Sequence, residues 1–358
     1  MRLISSARAV ILDFIGRRPA LRSLLPVWGS FKDLIKLHLK TFGFVLRVVL
    51  PLILRNRGRP LLFSRHVGLG DIICTFPAAL ELKRRHPGLA CIYSCHSDFA
   101  CLPRLGGVTN IVAPFNARML KTCWAFLFTA VYQFDYGDKN GASSEIIIEA
   151  FGRQHDVKLD GDHPRLQIDD DVRARMQSLL DRQSFGKGPV VVIHPGPSWP
   201  VREWPRDSWG ALALELQRQE FHNIMQVGIG KHLDAGIAEP YCFPGVVSMV
   251  DKLTLEESIA LISLCDLLVG IDSGLLHIAA SLRRPAIGIF GPTTPSFRFS
   301  PKSSCSFVIS GVECQGCHHR LPCLHWITGC PYDIKCMKII SVQEVLQACL
   351  KKLPTAKF

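Results

Sequence analysis

The sequence predicts an α/β protein in which two Rossmann-like, doubly wound halves follow a basic, helical N-terminal extension. From residue 61 onward, short β-branched or apolar segments alternate with helical segments, as in parallel sheets covered by helices. The alternation occurs twice, on either side of a polar stretch at residues 184–189. The 358 residues, 48% of them hydrophobic, suffice for two domains with substantial cores. We therefore expect an extension at residues 1–60 and domains at residues 61–185 and 186–358.

The positive charge of the chain is concentrated in the extension. The whole sequence has a formal net charge of +12. Residues 1–60 contain 12 Lys and Arg but only two Asp, whereas the remaining 298 residues contain 30 basic and 28 acidic residues. Because the body is nearly neutral, we expect no nucleic-acid channel in the core and no nucleic-acid partner.

The extension contains a mostly apolar helical segment with one basic stripe. Lys32, Lys36, Lys40 and Arg47 share a face at about 100° per residue, and most of the other positions between them are apolar. A helix of this kind can lie in the interface of an anionic membrane leaflet. A core helix of the first domain, with a single basic face in water, would show the same pattern.

A membrane-spanning helix is not expected, because no stretch reaches about 18–20 uninterrupted apolar residues. The best stretch, Thr41–Leu54, is interrupted by Arg47 and Pro51. The N-terminal segment also lacks the pattern of a cleavable signal peptide. We expect a cytoplasmic protein in which Pro51 and residues 55–60 form a linker into the first domain.

The body is predicted to consist of alternating strands and helices. The predicted strands are Leu61–Ser64, Ala90–Tyr93, Asn110–Ala113, Val190–Ile193, Asn223–Val227, Leu267–Ile271 and Pro285–Phe290. The predicted helices are Ile72–Arg85, Asp169–Leu180, Trp209–Gln219, Thr254–Cys265 and Gly274–Leu282. Thr254 and Glu257 have the spacing of a capping box. Because ligands of such sheets bind at the carboxyl ends of the strands, we expect the ligand crevice between the two halves.

In the first half, the turn with the sequence G-L-G-D at residues 68–71 follows the first predicted strand. Glycines allow the backbone to approach a ligand closely, and the helix dipole stabilises a carboxylate at a helix start. Asp71 could therefore serve as a general base. A helix N-cap is the alternative role for the same residue.

In the second half, Ser198 and Arg202 follow the strand Val190–Ile193, within a segment that begins H-P-G-P-S at residue 194. A hydroxyl and a guanidinium at the end of a strand suit a phosphate. A Pro/Gly turn with a surface arginine is the alternative. Residues 291–295 (G-P-T-T-P) fit the rim of the same crevice but are not specific.

The segment D-S-G-L-L-H at residues 272–277 follows another buried strand. Asp272 ends that strand, and Ser273 and Gly274 open a helix whose free N–H groups can hold an anion. His277 lies one turn into the helix, on the same side. The alternative is an Asp/Ser cap followed by a core histidine.

Together these blocks resemble glycosyltransferase family 9, which includes the lipopolysaccharide heptosyltransferases. Residues 70–77 match the block G-D-x-x-x-T-x-P, residues 194–205 match P-G-x-S…K-x-W-P, and residues 272–277 match D-[ST]-G-x-x-H. The resemblance spans roughly residues 61–345. Two features depart from it: Arg202 stands where the family usually has lysine, and the basic extension is longer than in the shortest members.

The resemblance implies a two-domain GT-B architecture and an inverting, metal-independent transfer from a nucleotide sugar, typically ADP-heptose. It implies that Asp71 acts as the base on the acceptor hydroxyl, in an N-terminal domain that holds the acceptor. The C-terminal domain would hold the donor. The positions implied on the acceptor side are Gly70 and Thr75, and those implied around the donor diphosphate and sugar are Ser198, Arg202, Asp272, Ser273, Gly274 and His277.

The resemblance further implies a peripheral enzyme of the inner membrane that adds a heptose, or a related sugar, to a lipopolysaccharide core. Its partners would be a nucleotide-sugar donor, a lipid-linked saccharide acceptor and an anionic membrane surface contacted through residues 1–60. Two alternatives remain open. One is an autotransporter-type heptosyltransferase that modifies a protein, and the other is a non-catalytic nucleotide-binding scaffold.

Six of the 14 cysteines lie in a segment at residues 305–336 that has few regular elements, and all of them except Cys305 form a dense cluster. The clustered cysteines are Cys314, Cys317, Cys323, Cys330 and Cys336, and His318 and His319 lie among them. The sequence shows no sign of secretion, so a disulfide framework is not expected. The thiolates could hold structural zinc or iron, as in some protein-modifying heptosyltransferases, or they could be reduced thiols. In either case we expect no metal or other cofactor in the transfer itself.

Overall fold

The structure is a computed structural model that describes residues 25–135, 145–183, 185–186, 188–196, 198–232, 236–237, 242–320 and 329–353. Residues 1–24 of the extension, Ser184 at the predicted boundary, Pro197 and Cys323 lie outside the described residues, as do the side chains of Lys32 and His319. The structure confirms the α/β class. It contains two parallel sheets, each covered by helices, and a long N-terminal helix.

The N-terminal half is built on a four-stranded parallel sheet with the order β3-β2-β1-β4. Its strands are β1 (Leu61–Ser64), β2 (Cys91–Ser94), β3 (Val112–Ala113) and β4 (Ala130–Gln133). All four residues of the central strand β1 are buried, which explains its continuous apolar sequence. The edge strand β4 was not predicted, because its half-buried A-V-Y-Q sequence gives only a weak strand pattern.

The C-terminal half is built on a six-stranded parallel sheet with the order β12-β11-β10-β5-β6-β9. Its strands are β5 (Val190–His194), β6 (Asn223–Gln226), β9 (Val246–Ser248), β10 (Leu267–Ile271), β11 (Ala286–Phe290) and β12 (Cys305–Ile309). A separate antiparallel pair is formed by β7 (Lys231–His232) and β8 (Gly236–Ile237). Strands β5, β10 and β11, which carry the predicted site segments at their ends, are adjacent in the sheet.

The helices connect these strands and cover the sheets. The described α-helices are α1 (Leu25–Phe44), α2 (Leu50–Asn56), α3 (Leu69–Arg85), α4 (Leu102–Leu105), α5 (Arg118–Thr122), α6 (Ile147–Arg153), α7 (Asp170–Arg182), α8 (Arg206–Arg218), α9 (Leu255–Leu264), α10 (Gly274–Ser281), α11 (Cys317–Arg320), α12 (Lys335–Lys338) and α13 (Val342–Leu350). Helix α9 begins with the predicted capping box, in which Thr254 and Glu257 exchange side-chain and backbone hydrogen bonds.

The N-terminal helix is longer than the sequence predicts. A π-helical turn, Val45–Val49, joins α1 to α2, and the Leu50 N–H donates to the carbonyl of Val45, five residues back. The wider turn comes immediately before Pro51, which has no N–H to donate. The prediction that Pro51 belongs to a linker is therefore wrong, and the helix continues to Asn56.

One face of this helix packs on the N-terminal half and another is exposed. Val45 and Val49 are buried in a cluster with β1 and β2 residues, so the packed-helix alternative describes this face correctly. The exposed apolar face contains Ile35, Leu39, Phe42 and Leu46, which are 43–67% exposed. Neighbouring Lys36, Lys40 and Arg47 are also exposed.

The segment Asp33–Asn56 is 24 residues long, and by length and composition alone it could cross a membrane. Only 17% of its most apolar 18-residue stretch is buried inside the protein. Arg47 and Pro51 interrupt the apolar run in the sequence, but the helix accommodates both residues. The length criterion for a spanning helix is therefore met, contrary to the expectation.

The two halves meet through helices α3 and α10, whose first turns pack closely together. Helix α7 also packs against α9 of the C-terminal half, and Arg104 of the N-terminal half forms ion pairs with Asp169 and Glu256. These contacts bring the carboxyl end of β1 next to the carboxyl ends of β10 and β11. The residues predicted to carry the chemistry come from these three strand ends.

Candidate active site

Asp71 lies in the first turn of α3 and is held by two arginines. Arg65 Nη2 donates to Asp71 Oδ2 at 2.6 Å, and Arg298 Nη1 lies 3.6 Å from Oδ1. The N-cap position of the helix belongs to Gly68, which has a φ of 85°. The N-cap alternative for Asp71 is therefore wrong. The two guanidiniums fix the orientation of the carboxylate at the junction of the two halves.

Neither Arg65 nor Arg298 was predicted as a site residue. Arg65 directly follows β1, and its Nη1 also donates to the carbonyl of Phe134 at 3.2 Å. Arg298 follows the short helical turn Pro295–Phe297 and is almost completely buried. The one available signal was position, since both arginines lie just beyond the carboxyl end of a strand. Their pairing with Asp71 depends on the contact between the halves.

Asp272, at the end of β10, is the second buried carboxylate. Arg202 Nη1 lies 3.4 Å from its Oδ2, and the Thr293 hydroxyl donates to the same oxygen at 2.6 Å. Burial raises the pKa of the Asp272 carboxyl, but the Arg202 and Arg298 guanidiniums and the Thr293 hydrogen bond outweigh burial and lower it to about 2. Thr293 belongs to the G-P-T-T-P segment, which therefore contributes a specific contact.

Arg202 is enclosed by its neighbours, so the surface-arginine alternative is wrong. Its side chain is 13% exposed, and its guanidinium lies over the ring of Trp199 at 4.0 Å from the centroid. His318 packs against the same ring. Burial, followed by the charges of Arg202 and Arg298, lowers the pKa of His318 to about 4. Nearby, the Ser198 N–H donates to Glu203 Oε1 at 2.9 Å, which fixes the start of this turn.

The D-S-G-L-L-H segment lies at the contact between the halves. Ser273 is the N-cap residue of α10, and its hydroxyl has no hydrogen-bond partner among the described residues. A Cβ on Gly274 would lie 2.4 Å from Leu69 Cδ2, and a Cβ on Gly70 would lie 2.4 Å from His277 Cδ2. Only glycine at both positions allows this separation of α3 and α10.

His277 and Thr75 are both buried in the interior. His277 Nδ1 lies 2.8 Å from His163 Nε2, and burial together with the Arg298 charge lowers the His277 pKa to about 3. The Thr75 hydroxyl donates to the carbonyl of Ile72 and is 2.7 Å from the Tyr93 hydroxyl. Thr75 thus lies beneath the site. His277 is surrounded by buried residues, as the core-histidine alternative expects.

Four described cysteines of the C-terminal half lie near one another. Burial and, to a smaller extent, the neighbouring thiols of Cys314, Cys317 and Cys330 together raise the pKa of the Cys336 thiol to about 12. Cys317 and Cys336 are buried, and the other two are partly exposed. Thiolates are the ligand type that soft or borderline metal ions such as zinc and iron prefer, but among the described residues no three of these four sulfur atoms all lie within 4.8 Å of one another. The fifth predicted member, Cys323, lies outside the described residues.

The charges of the site suit an anionic ligand. Arg65, Arg202 and Arg298 face two carboxylates, so these five side chains carry a net positive charge. The N-terminus of α10 adds backbone N–H groups that point towards the same junction. Two Rossmann-like halves that face each other across such a site define a protein of the GT-B class.

The chain belongs to glycosyltransferase family 9 (heptosyltransferase), whose sequence profile matches residues 145–325, just over half of its length. The matched residues include Arg202, Asp272 and Arg298 and begin after the Asp71 turn. This confirms the family resemblance seen in the three sequence blocks.

Individual relatives are distant. The lipooligosaccharide heptosyltransferase 2 of Haemophilus influenzae is 29% identical over 161 residues, which are 42% of this chain and 45% of that protein. The match therefore spans less than half of that relative. The solved E. coli ADP-heptose LPS heptosyltransferase II superposes with a TM-score of 0.60 at 16% identity, over 82% of this chain and 98% of that one.

A second solved structure has the same fold. The iron-containing dodecameric glycosyltransferase TibC of enterotoxigenic E. coli superposes with a TM-score of 0.59 at 18% identity, over 82% of this chain and 78% of that one. At these identities the superpositions confirm the GT-B fold, and the activity of this chain is inferred below from its own residues.

Proposed function

We propose that this protein is an inverting glycosyltransferase that transfers a heptose from ADP-heptose to a lipopolysaccharide core acceptor. The observation that carries the proposal is the position of Asp71, which is held between Arg65 and Arg298 at the junction of the halves. Arg298 also acts electrostatically on Asp272, the partner of Arg202. Arg298 thus links Asp71, a carboxylate suited to proton abstraction, with the Arg202–Asp272 pair, which is suited to a diphosphate.

In this proposal Asp71 removes the proton from an acceptor hydroxyl bound by the N-terminal half, residues 61–185. The hydroxyl oxygen attacks the anomeric carbon from the side opposite to the diphosphate. The new oxygen–carbon bond forms as the bond to the diphosphate oxygen breaks, and the configuration inverts. Arg65 and Arg298 hold the carboxylate in the orientation that this transfer requires.

The C-terminal half, residues 186–358, is proposed to hold the donor. The leaving nucleoside diphosphate gains negative charge, which Arg202 and the N–H groups of Ser273 and Gly274 are placed to stabilise. The side chain of Trp199 keeps Arg202 in position through the contact with its ring face. Side chains and backbone N–H groups thus supply the counter-charge that the leaving group needs.

The donor is tested by calorimetric titration of the purified protein with ADP, GDP and UDP. We expect selective binding of ADP. Selective binding of UDP or GDP would retain the transferase and exclude ADP-heptose, and the absence of binding to all three would favour the scaffold alternative. Arg202→Ala should weaken ADP binding, whereas Arg218→Ala, an exposed arginine of the same half, should leave it unchanged.

The base is tested by the isosteric variant Asp71→Asn. Turnover with ADP-heptose and a lipid-linked core acceptor should fall by roughly 10²–10⁴-fold, while ADP affinity stays close to that of the wild type. The matched control is Asp135→Asn, because Asp135 lies 3.8 Å from Arg65 but outside the α3 turn. Near-normal turnover of Asp71→Asn would exclude Asp71 as the base.

We further propose that the exposed apolar face of the N-terminal helix rests on the inner membrane, where a lipid-linked acceptor is located. The face is defined by Ile35, Leu39, Phe42 and Leu46, and basic side chains lie beside it. Because Val45 and Val49 pack into the N-terminal half, we propose that the helix lies along the membrane surface and does not cross it.

Point variants test this location better than deletion, since deletion of the helix would expose the cluster around Val45. Leu39→Asp together with Leu46→Asp should abolish cosedimentation with vesicles that contain phosphatidylglycerol. Leu214→Asp, an exposed leucine of the C-terminal half, is the matched control. Retention of vesicle binding by the double variant would contradict the proposal, as would binding that resists extraction with high salt and carbonate, which indicates a spanning helix.

The four thiols suggest a second candidate function, the protein-modifying alternative, because they are of the type that binds a structural metal, although they would have to move closer together to share one ion. Cys314, Cys317, Cys330 and Cys336 would hold zinc or iron, which would connect the segment around α11 to helix α12. The iron-containing TibC has the same fold. Cys330→Ser with Cys336→Ser should release bound metal and lower the thermal unfolding midpoint. Transfer of heptose to a protein, without transfer to a lipid-linked core, would establish the alternative.

A further inference from the structure

Three buried side chains meet where the two halves touch. Cys74 comes from α3, His277 from α10, and His163 from the segment between α6 and α7. Each is at most 4% exposed. The Cys74 Sγ lies 3.4 Å and the His163 Nε2 lies 2.8 Å from the same atom, Nδ1 of His277. The three donor atoms all lie within 4.8 Å of one another.

Hydrogen bonding alone does not satisfy this arrangement. A neutral imidazole nitrogen has either one proton to donate or one lone pair to accept with. The His277 Nδ1 is nevertheless approached by two polar atoms, the thiol of Cys74 and the nitrogen of His163. It can form one strong hydrogen bond, so one of its two buried neighbours is left poorly paired, which is costly.

A metal ion would satisfy all three groups at once. Zinc binds a thiolate at about 2.3 Å and imidazole nitrogens at about 2.0–2.1 Å, and three donors in this volume can reach one ion. Burial lowers the pKa of both imidazoles, which favours the neutral form that binds metals, and raises the pKa of the Cys74 thiol, so the ion must displace the thiol proton. The thiol proton is released to solvent as the sulfur–metal bond forms.

The surroundings hold the three ligands in place. Cys74 lies one turn after Gly70 and His277 one turn after Gly274, so the glycine contact between α3 and α10 sets the separation of both side chains. The ring of Phe299 stacks on both imidazoles, with centroids 4.6 Å from His277 and 5.1 Å from His163. The Arg283 guanidinium donates to the carbonyl of His163.

Four guanidiniums and two carboxylates face the three ligands, so the surroundings carry a net charge of +2, which the ligand bonds of a bound cation must outweigh. The carboxylates of Asp71 and Asp272 act on Cys74 and His277, respectively, and the guanidiniums of Arg65, Arg202 and Arg298 act on one or both of them. Arg283 acts on His163. Binding of a divalent ion with loss of the thiol proton adds a single positive charge.

From this geometry we propose that Cys74, His163 and His277 form a zinc site that joins the two halves of the protein. The three protein ligands leave a fourth position for a water molecule. The site is separate from the cysteines of the C-terminal half, and the ion has no part in the transfer reaction. Because its ligands come from both halves, bound zinc would hold the two halves in contact through α3 and α10. The proposal does not depend on the sugar or acceptor proposed above.

The test measures zinc per chain after the reduced, full-length protein is stripped with a chelator and dialysed against buffered Zn²⁺. The variants Cys74→Ser and His163→Gln each remove one ligand. Cys265→Ser is the matched control, because Cys265 is a buried cysteine that bonds to the carbonyl of Ile262. The wild type and Cys265→Ser should each bind one more zinc ion per chain than Cys74→Ser and His163→Gln. Zinc bound by the cysteines of the C-terminal half is common to all four proteins and does not change this difference.

Two further readouts keep the test decisive if one variant folds poorly. Zinc should raise the thermal unfolding midpoint of the wild type by more than that of His163→Gln, which retains every thiol. With Co²⁺, the thiolate-to-cobalt absorbance of Cys265→Ser should exceed that of Cys74→Ser by the contribution of one thiolate. Equal zinc content in all four proteins, or equal stabilisation of the wild type and His163→Gln, would overturn the proposal.

Discussion

Replacement of Gly70 by alanine should destabilise the protein, although alanine is the better helix former. Gly70 lies in the first turn of α3, and an added Cβ would be 2.4 Å from Cδ2 and 3.0 Å from Nε2 of His277. Carbon atoms in favourable contact are about 3.5–4.0 Å apart. The imidazole cannot move aside easily, because its Nδ1 lies against His163 and Cys74 and its ring stacks on Phe299.

The expected magnitude is the difference between two opposing effects. Alanine gains about 1 kcal/mol over glycine in a helix interior. Overpacking of a filled interior costs typically about 1–3 kcal/mol. The matched control is Gly43→Ala, because Gly43 is also helical and an added Cβ there would meet no atom within 4 Å. Gly43→Ala should raise the free energy of unfolding above that of the wild type. The free energy of unfolding of Gly70→Ala should be about 1–3 kcal/mol lower than that of Gly43→Ala.

The assay is urea denaturation of the two variants and the wild type, followed by far-UV circular dichroism and tryptophan fluorescence. Turnover should also fall in Gly70→Ala, since a displacement of α3 moves Asp71 relative to Arg298. If Gly70→Ala were as stable as Gly43→Ala, the halves would not be packed through this glycine, and the argument from the contact between α3 and α10 would be refuted.

Three further outcomes follow from individual contacts. Thr254→Ala removes the capping box of α9 and should lower the free energy of unfolding by about 0.5–2 kcal/mol, measured by urea denaturation, whereas Thr254→Ser should retain most of it. Asp272 has a folded pKa of about 2 against 3.8 for an unperturbed Asp, so its stabilising contribution is present above about pH 4 and is lost as the pH falls towards 2. The urea midpoint of Asp272→Asn should therefore change less between about pH 5 and pH 3 than that of the wild type, and equal changes would contradict the assignment. Trp199→Leu removes a cation–π contact of about 0.5–2 kcal/mol from Arg202 and should weaken ADP binding several-fold in calorimetry, with unchanged affinity as the contrary result.

Local patterns were sufficient to predict most of the fold. Strands β1 and β10 were predicted with their observed bounds, because each is fully buried and therefore continuously apolar. Helix α9 was predicted from its capping box. Prediction failed at elements whose stability comes from their neighbours. The sheet-edge strands β4, β9 and β12 are only partly buried, and α1 continues through a π turn into α2 because its inner face packs on the first sheet.

The candidate site was predicted only as far as single segments could show it. Asp71 and Asp272 were selected from the turns that follow strands, but the arginines that bind Asp71 come from the residue directly after β1 and from the segment after β11. Nothing in the local sequence of Arg298 distinguishes it from a surface arginine. Its role as a link between the two carboxylates arises from the contact of α3 with α10, which periodicity and spacing do not specify.

That contact also couples stability to chemistry. Gly70 precedes the carboxylate proposed as the base, and Gly274 is the first residue of the helix proposed to bind the diphosphate. Each glycine is required because a side chain of the opposite half, His277 or Leu69, occupies the space of its Cβ. A larger residue at either position would separate the base from the donor site and open the Cys74, His163 and His277 cluster together. Changes in transfer rate, in unfolding free energy and in zinc binding should therefore accompany one another at these two positions, whereas Leu39→Asp, on the exposed face of the N-terminal helix, should leave zinc binding and the unfolding free energy close to those of the wild type.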